Sequence, residues 1–233
     1  MPSPRLIAMD TTPVGLLFDL DGTLIDSVYM HVLAWHRALA REGKLLSVWR
    51  IHRRIGMSGG LLVHALAREI GREFSNEEIE RIQTDHESEY AKMIDEVRPL
   101  PGANELLARL HSVGALFAIA TSGRAAKAMQ GIGKLTVPQG VPIITRDDVK
   151  RAKPDPDLFL AAAERLHLAP ENCLVVGDSV WDILAARRAR ALGIGLLSGG
   201  YGREELDQAG AFRVYDDPAD LLEHLDEVGV REK

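Results

Sequence analysis

The chain has 233 residues, 46% hydrophobic and 27% charged, with a formal net charge of -6 at pH 7. That length supports a well-buried core, either one large domain or a core carrying a smaller insertion. The negative balance argues against a general binder of nucleic acid or acidic membrane, and the single cysteine, Cys173, excludes an intramolecular disulfide and a cysteine-based metal site.

The opening residues, Met1 to Asp10, lack the long apolar segment of a signal peptide. No apolar run elsewhere approaches membrane-spanning length. A cytoplasmic location, with no membrane partner, is the expectation. There is no internal repeat and no low-complexity tract.

Val14 to Phe18 is a continuous apolar run of strand length, as a central parallel strand covered on both faces requires. It ends in Asp19-Leu-Asp21-Gly-Thr. A lone Asp-Gly reads as a turn, but two acids aimed at one point by one bend need a cation to be stable. Oxygen ligands of this kind suit Mg²⁺, which takes one or two carboxylates plus a substrate phosphate. The stretch points to metal-assisted phosphoryl chemistry.

From Ser27 to about Glu96 the apolar spacing becomes helical, as in Val32, Trp35, Leu39 and then Leu61, Leu62, Ala65, Leu66. This predicts a module of three or four helices inserted after the first strand, with Ser75 to Glu78 as a capping signal. Solvated helix faces account for most of its five histidines, His31, His36, His52, His64 and His86, and for Arg50, Arg53 and Arg54. His31 and Trp35 are the candidates to face a substrate, one or two turns beyond the Asp19 loop on one helical face.

Arg98 to Gly102 marks a return, Ala103 to Leu110 reads as a helix, and Ala115 to Ala120 as a second buried strand. Thr121-Ser122-Gly-Arg124 then opens a helix, where hydroxyls and free backbone N–H groups form a phosphate cradle or a simple N-cap. Residues 131 to 140 read as a surface loop, and Val141 to Ile144 as a short strand. Lys153, fixed before Pro154-Asp-Pro156 at the entrance to a helix over Leu158 to Leu166, is poised to contact an anion. Cys173 to Val176, with Cys173 as a small core residue, is an apolar strand followed by Gly177, Asp178 and Asp182. Ala185 to Arg190 continues a helix whose arginines form a solvated face. Strands at Ile194 to Leu197 and Phe212 to Tyr215 follow, with a final amphipathic helix around Leu221, Leu222 and Leu225.

Four strand ends thus carry Asp19-x-Asp21-Gly-Thr, Thr121, Lys153-Pro and Gly177-Asp178-Ser-x-x-Asp182 in this order. The set closely resembles the haloacid dehalogenase superfamily, specifically its phosphatase and β-phosphoglucomutase-like subfamily with a helical cap. The resemblance implies an α/β fold, a doubly wound, Rossmann-like parallel sheet with an inserted all-helical cap, the site lying at the strand C-termini. It implies a core over 1–26 and 97–233 and a cap over 27–96. It also implies that Asp19 attacks phosphorus to form an aspartyl-phosphate, while Asp21 protonates the leaving oxygen and then activates water. Mg²⁺ would be held by Asp19, the Asp21 backbone carbonyl and Asp178. Thr121, Ser122 and Lys153 would bind the phosphoryl group, and Asp182 would orient Lys153 or a metal-bound water.

The expected partner is a small phosphorylated metabolite of sugar, polyol phosphate or phosphoglycolate type, and the expected assembly a monomer or weak dimer. Asp21 and Asp178 argue against metal-free dehalogenation. A β-phosphoglucomutase-like phosphomutase is the alternative reading. Its cap would need cations for the second phosphate, yet the matching positions hold Gly59 and about His86, leaving Arg53, Arg54 or Lys92 as substitutes. A catalytically silent binding protein on the same fold is disfavoured by the intact acid, hydroxyl and lysine set.

Overall fold

The computed structural model describes residues 14–230. The opening stretch without a signal-peptide pattern, and the outer ends of the expected core, lie outside the described residues. Strand β1 (Gly15–Phe18) is followed by β2 (Ile25–Asp26) and then by helices α1 (Val28–Arg41), α2 (Val48–His52), α3 (Gly59–Glu69) and α4 (Asn76–Ala91). After β3 (Arg98–Pro99) come α5 (Ala103–Ser112), β4 (Leu116–Ala120), α6 (Ala125–Ile132), β5 (Ile143–Ile144) and α7 (Asp157–Arg165). The chain continues through β6 (Cys173–Gly177), α8 (Val180–Ala189), β7 (Leu192–Leu196), α9 (Arg203–Ala209), β8 (Ala211–Tyr215) and α10 (Pro218–Glu223).

The main sheet is parallel, in the order β5-β4-β1-β6-β7-β8. Alternation along β1 sends Leu16 and Phe18 to one face, with Leu107, Phe117 and Leu174, and Leu17 to the other, with Ala118, Phe159 and Val175. Both faces are covered, which is why the run has no polar side. Register then places the site. Phe18 is level with Ile119 on β4 and with Val176 on β6, so Asp19, Thr121 and Asp178 emerge at one edge.

Helices α1 to α4 carry an apolar cluster of their own, including Val32, Trp35, Leu39, Leu62, Leu66 and Ile82. The expected cap at Ser75 is present, its hydroxyl accepting from Glu78 N while the Glu78 side chain takes the Ser75 N–H. The segment enters and leaves through β2 and β3, which pair antiparallel. Two-residue strands leave no periodicity, and the sequence showed neither.

Other expectations are corrected. His52 and His86 are buried and not solvated. Gly131 and Ile132 belong to α6 and not to a loop; a Cβ on Gly131 would meet Ile25 Cδ1 at 2.8 Å, so close packing and not flexibility places glycine there. β7 begins at Leu192, and Leu197 lies beyond its end. Helix α9 was not anticipated, since only Leu206 of its residues is buried. Among the described residues no helix is long and apolar enough to cross a membrane.

Candidate active site

Asp19 continues the ladder from β1, its N–H donating to Val176 O at 2.8 Å, and then the chain turns. Gly22 makes that turn with φ +86; a Cβ there would sit 2.7 Å from the Asp178 carboxylate. Thr23 Oγ1 donates to Asp178 Oδ1 at 3.2 Å, so the first motif itself holds the acid of the last one. Gly199 also approaches Asp178, so closely that a Cβ would overlap its carboxylate.

Lys153 has no exposed surface and pairs with both Asp19 Oδ1 and Asp182 Oδ1, the latter at 2.8 Å. Burial works against its charge, but the Asp182 and Asp19 carboxylates outweigh that and raise its pKa. Asp182 is fixed in turn: its Oδ2 accepts from Ser179 N at 3.1 Å and from Ser179 Oγ at 2.5 Å, the capping box that starts α8. Gly177 leaves room for it, because a Cβ would collide with the Asp182 side chain.

The carboxylates are crowded. Asp19, Asp178 and Asp182 bring oxygens within 4.8 Å of one another, all buried. Burial, then the Asp182 and Asp21 charges, push Asp19 up to about 7 against the pull of Lys153. Burial followed by Asp182 and Asp19 raises Asp178 well above the carboxylate range. Lys153 and Ser179 satisfy Asp182, so Asp19 and Asp178 are the pair left short of positive charge. A divalent cation fits this donor set of hard oxygens.

Asp21 is held differently. Ser27 Oγ donates to its Oδ1 at 2.6 Å, and His31 Nε2 lies 3.1 Å from the same oxygen. Burial opposes ionisation, but His31, Lys127 and Ser27 together hold the carboxyl well below its ordinary pKa. Thr121 Oγ1 accepts from Gly123 N at 3.0 Å, a local turn contact that leaves the hydroxyl proton available. Ser122 Oγ donates to Gly56 O at 3.0 Å, joining this loop to the segment after α2.

A cavity of about 670 Å³ opens above Asp19, Asp21, Thr121 and Ser122, with His31 and Trp35 in its wall. Lys153, Asp178 and Asp182 lie behind that floor. The wall also includes His86, Arg124, Lys127 and Arg146, which the sequence did not single out as site residues. Lys127 follows Thr121 by six residues on a short helix; no local pattern distinguishes it from a solvated lysine.

The model of the family described as haloacid dehalogenase-like hydrolase matches residues 14–190, the span that runs through Asp19, Thr121, Lys153, Asp178 and Asp182. The chain belongs to the haloacid dehalogenase-like hydrolases. This hydrolase is 36% identical over 186 residues to hexitol phosphatase A of Escherichia coli (strain K12), covering 75% of this chain and 79% of the relative. It is 28% identical over 192 residues to the β-phosphoglucomutase of Bacillus subtilis (strain 168), covering 79% and 84%. The crystal structure of a hydrolase from Pseudomonas syringae superposes on it with a TM-score of 0.91 at 50% identity, over 93% of this chain and 100% of that one.

Proposed function

We propose that this hydrolase is a Mg²⁺-dependent phosphatase acting on a small phosphorylated metabolite, a sugar or polyol phosphate or a phosphoglycolate-type ester, through an aspartyl-phosphate on Asp19. One observation carries the reading. Two carboxylates at one strand end border the same cavity in the hands of different partners, Asp19 with Lys153 and Asp21 with Ser27 and His31. Different surroundings suit different roles.

Asp19 is the nucleophile, its oxygen attacking phosphorus as the ester oxygen departs on the opposite side. Asp21 rests ionised. A phosphate dianion arriving beside it raises its proton affinity, so it takes up a proton with the substrate, gives it to the leaving oxygen, and then removes one from the attacking water. The Thr121 hydroxyl and the N–H groups after it bind the phosphoryl oxygens. Lys153 offsets the charge of Asp19 and is itself aligned by Asp182. Asp19, Asp178 and the Asp21 carbonyl would hold Mg²⁺, whose charge lessens repulsion between carboxylate and phosphate.

Residues 27–96 act as a cap that closes the cavity. His52 Nε2 donates to Gly199 O at 2.8 Å, while Trp181 Nε1 and Tyr201 OH donate to Arg53 O at 3.2 and 2.9 Å. Closure excludes bulk water from the intermediate.

A second reading, phosphomutase, keeps one observation in its favour. Arg53, Arg54 and Lys92 are paired with Glu205, Glu69 and Glu89, but Arg124, Lys127 and Arg146 bring cations to the cavity from the other side. The deciding experiment supplies sugar, polyol and glycolate phosphates with and without Mg²⁺ and follows phosphate release and isomerisation together. Metal-dependent phosphate release supports the phosphatase; isomerisation outpacing release, with bisphosphate added, overturns it.

A further inference from the structure

The two oxygens of Asp21 are not equivalent. Ser27 Oγ and His31 Nε2 both address Oδ1, and among the described residues nothing donates to Oδ2. Oδ1 is the anchored oxygen, and Oδ2 is the one free to carry a proton to or from a substrate. An ionised carboxylate only accepts, so His31 Nε2 must bear the hydrogen. A neutral imidazole has one N–H, and Nδ1 is then an acceptor.

The group facing His31 Nδ1 is His86 Nε2, 3.2 Å away. Both rings are buried, at 4% and 3% exposure, and both are stacked: Tyr90 lies on His31 with centroids 3.9 Å apart, and Trp35 on His86 at 3.8 Å. A half-turn of the His31 ring would keep it in its stacked plane but set Cε1 against Asp21 Oδ1 and Cδ2 against His86 Nε2, losing both contacts, and the same turn of His86 would set its Cε1 against His31 Nδ1. The nitrogens therefore keep their places, and only the protons on them are left to be set.

We propose that His86 is a positioning residue that donates its Nε2 hydrogen to His31 Nδ1, holding His31 in the tautomer that anchors Asp21 by Oδ1 and leaves Oδ2 for proton transfer. The proposal rests on the acid–base role of Asp21 given above. One hydrogen fits the 3.2 Å contact between His31 Nδ1 and His86 Nε2, and with His31 Nε2 donating to Asp21 Oδ1 the donation runs one way, from His86 to His31 to Asp21. Without His86, His31 is free to place its hydrogen on Nδ1. Its Nε2 lone pair then faces Oδ1, which favours a proton on the wrong carboxyl oxygen.

The test compares phenyl phosphate with p-nitrophenyl phosphate in single turnovers with Mg²⁺, reading release of the phenol. The two esters are similar in shape, but the nitrophenolate leaves readily without a proton. His86→Gln returns an amide N–H near the position of Nε2, whereas the shorter His86→Asn does not reach it. His86→Asn is expected to slow phenyl phosphate about tenfold more than p-nitrophenyl phosphate, a part of the 10²–10⁴ that acid–base groups supply. His86→Gln should keep the wild-type ratio of the two rates, which a merely structural loss would not separate. Equal loss on both esters, or Gln and Asn behaving alike, overturns the role of His86. Asp21→Asn serves as the reference: if it too fails to discriminate between the esters, the acid role of Asp21 falls and the proposal with it. Discrimination by Asp21→Asn but not by His86→Asn removes the histidine alone.

Discussion

Lys153 and Asp182 face each other across 2.8 Å with no exposed surface on either side chain. A charge so placed depends on its carboxylate partners, Asp182 and Asp19, to compensate for the water it has lost. Breaking such a buried pair costs about 3–5 kcal/mol. Asp182→Ala also removes the Asp182 half of the capping box that starts α8, so we expect a clear fall in Tm and loss of turnover. Asp182→Asn retains the capping oxygen, and should lower kcat with a smaller fall in Tm. Thermal unfolding beside steady-state kinetics checks both; an unaltered Tm in the alanine variant would show that Lys153 finds compensation elsewhere.

Asp19→Asn is expected to abolish turnover while leaving the protein folded, since it removes one of the crowded carboxylates and Asp182 still balances Lys153. Asp21→Asn should inactivate at a different point, leaving phosphorylated Asp19 to accumulate after a good leaving group has departed. Intact-mass measurement on quenched samples distinguishes them. Wild-type turnover in Asp19→Asn would rule out the nucleophile.

The crowded acids make the metal-free protein sensitive to pH. Asp19 moves from 3.8 up to about 7 on folding, so between those values the folded state holds a proton that the unfolded state has released. Stability therefore falls as pH rises through that window and stays low above it. Asp178 shifts in the same direction. We expect Tm in chelator to be lower at pH 8 than at pH 5 by about 2–8 °C, as a change of 1–2 kcal/mol gives in a chain of this size. Mg²⁺ should raise Tm more at pH 8 than at pH 5. A Tm in chelator that rises over this range would contradict the assigned crowding.

The proposed closure has its sensitive point at Gly56, where φ is +95 and a Cβ would stand 2.7 Å from Ser179 Oγ. Its carbonyl receives the Ser122 hydroxyl. Gly56→Ala should hold the segment after α2 away from the strand ends, lowering kcat/KM about tenfold or more, in line with losses seen when a site is displaced by an ångström. Solution scattering with a phosphate analogue should show a larger radius than wild type. Scattering and kinetics like wild type would place closure elsewhere.

The sequence by itself determined a good deal here. Val14 to Phe18 announced a strand buried on both faces, because an apolar run with no polar side calls for cover on both. The helical spacing from Val32 to Leu66 announced the inserted helices, and the order of Asp19, Thr121, Lys153 and Asp178 identified the fold family. All of this is local pattern or linear order. Tertiary structure alone decided which nitrogen of His31 meets Asp21, that His86, 55 residues away, stands behind it, and that Lys127 shares the cavity. It also buried His52 and His86, which helical periodicity had left on a solvated face. Periodicity reports which side of one helix is apolar; it carries no information about which other element, or whose polar atom, that side will meet.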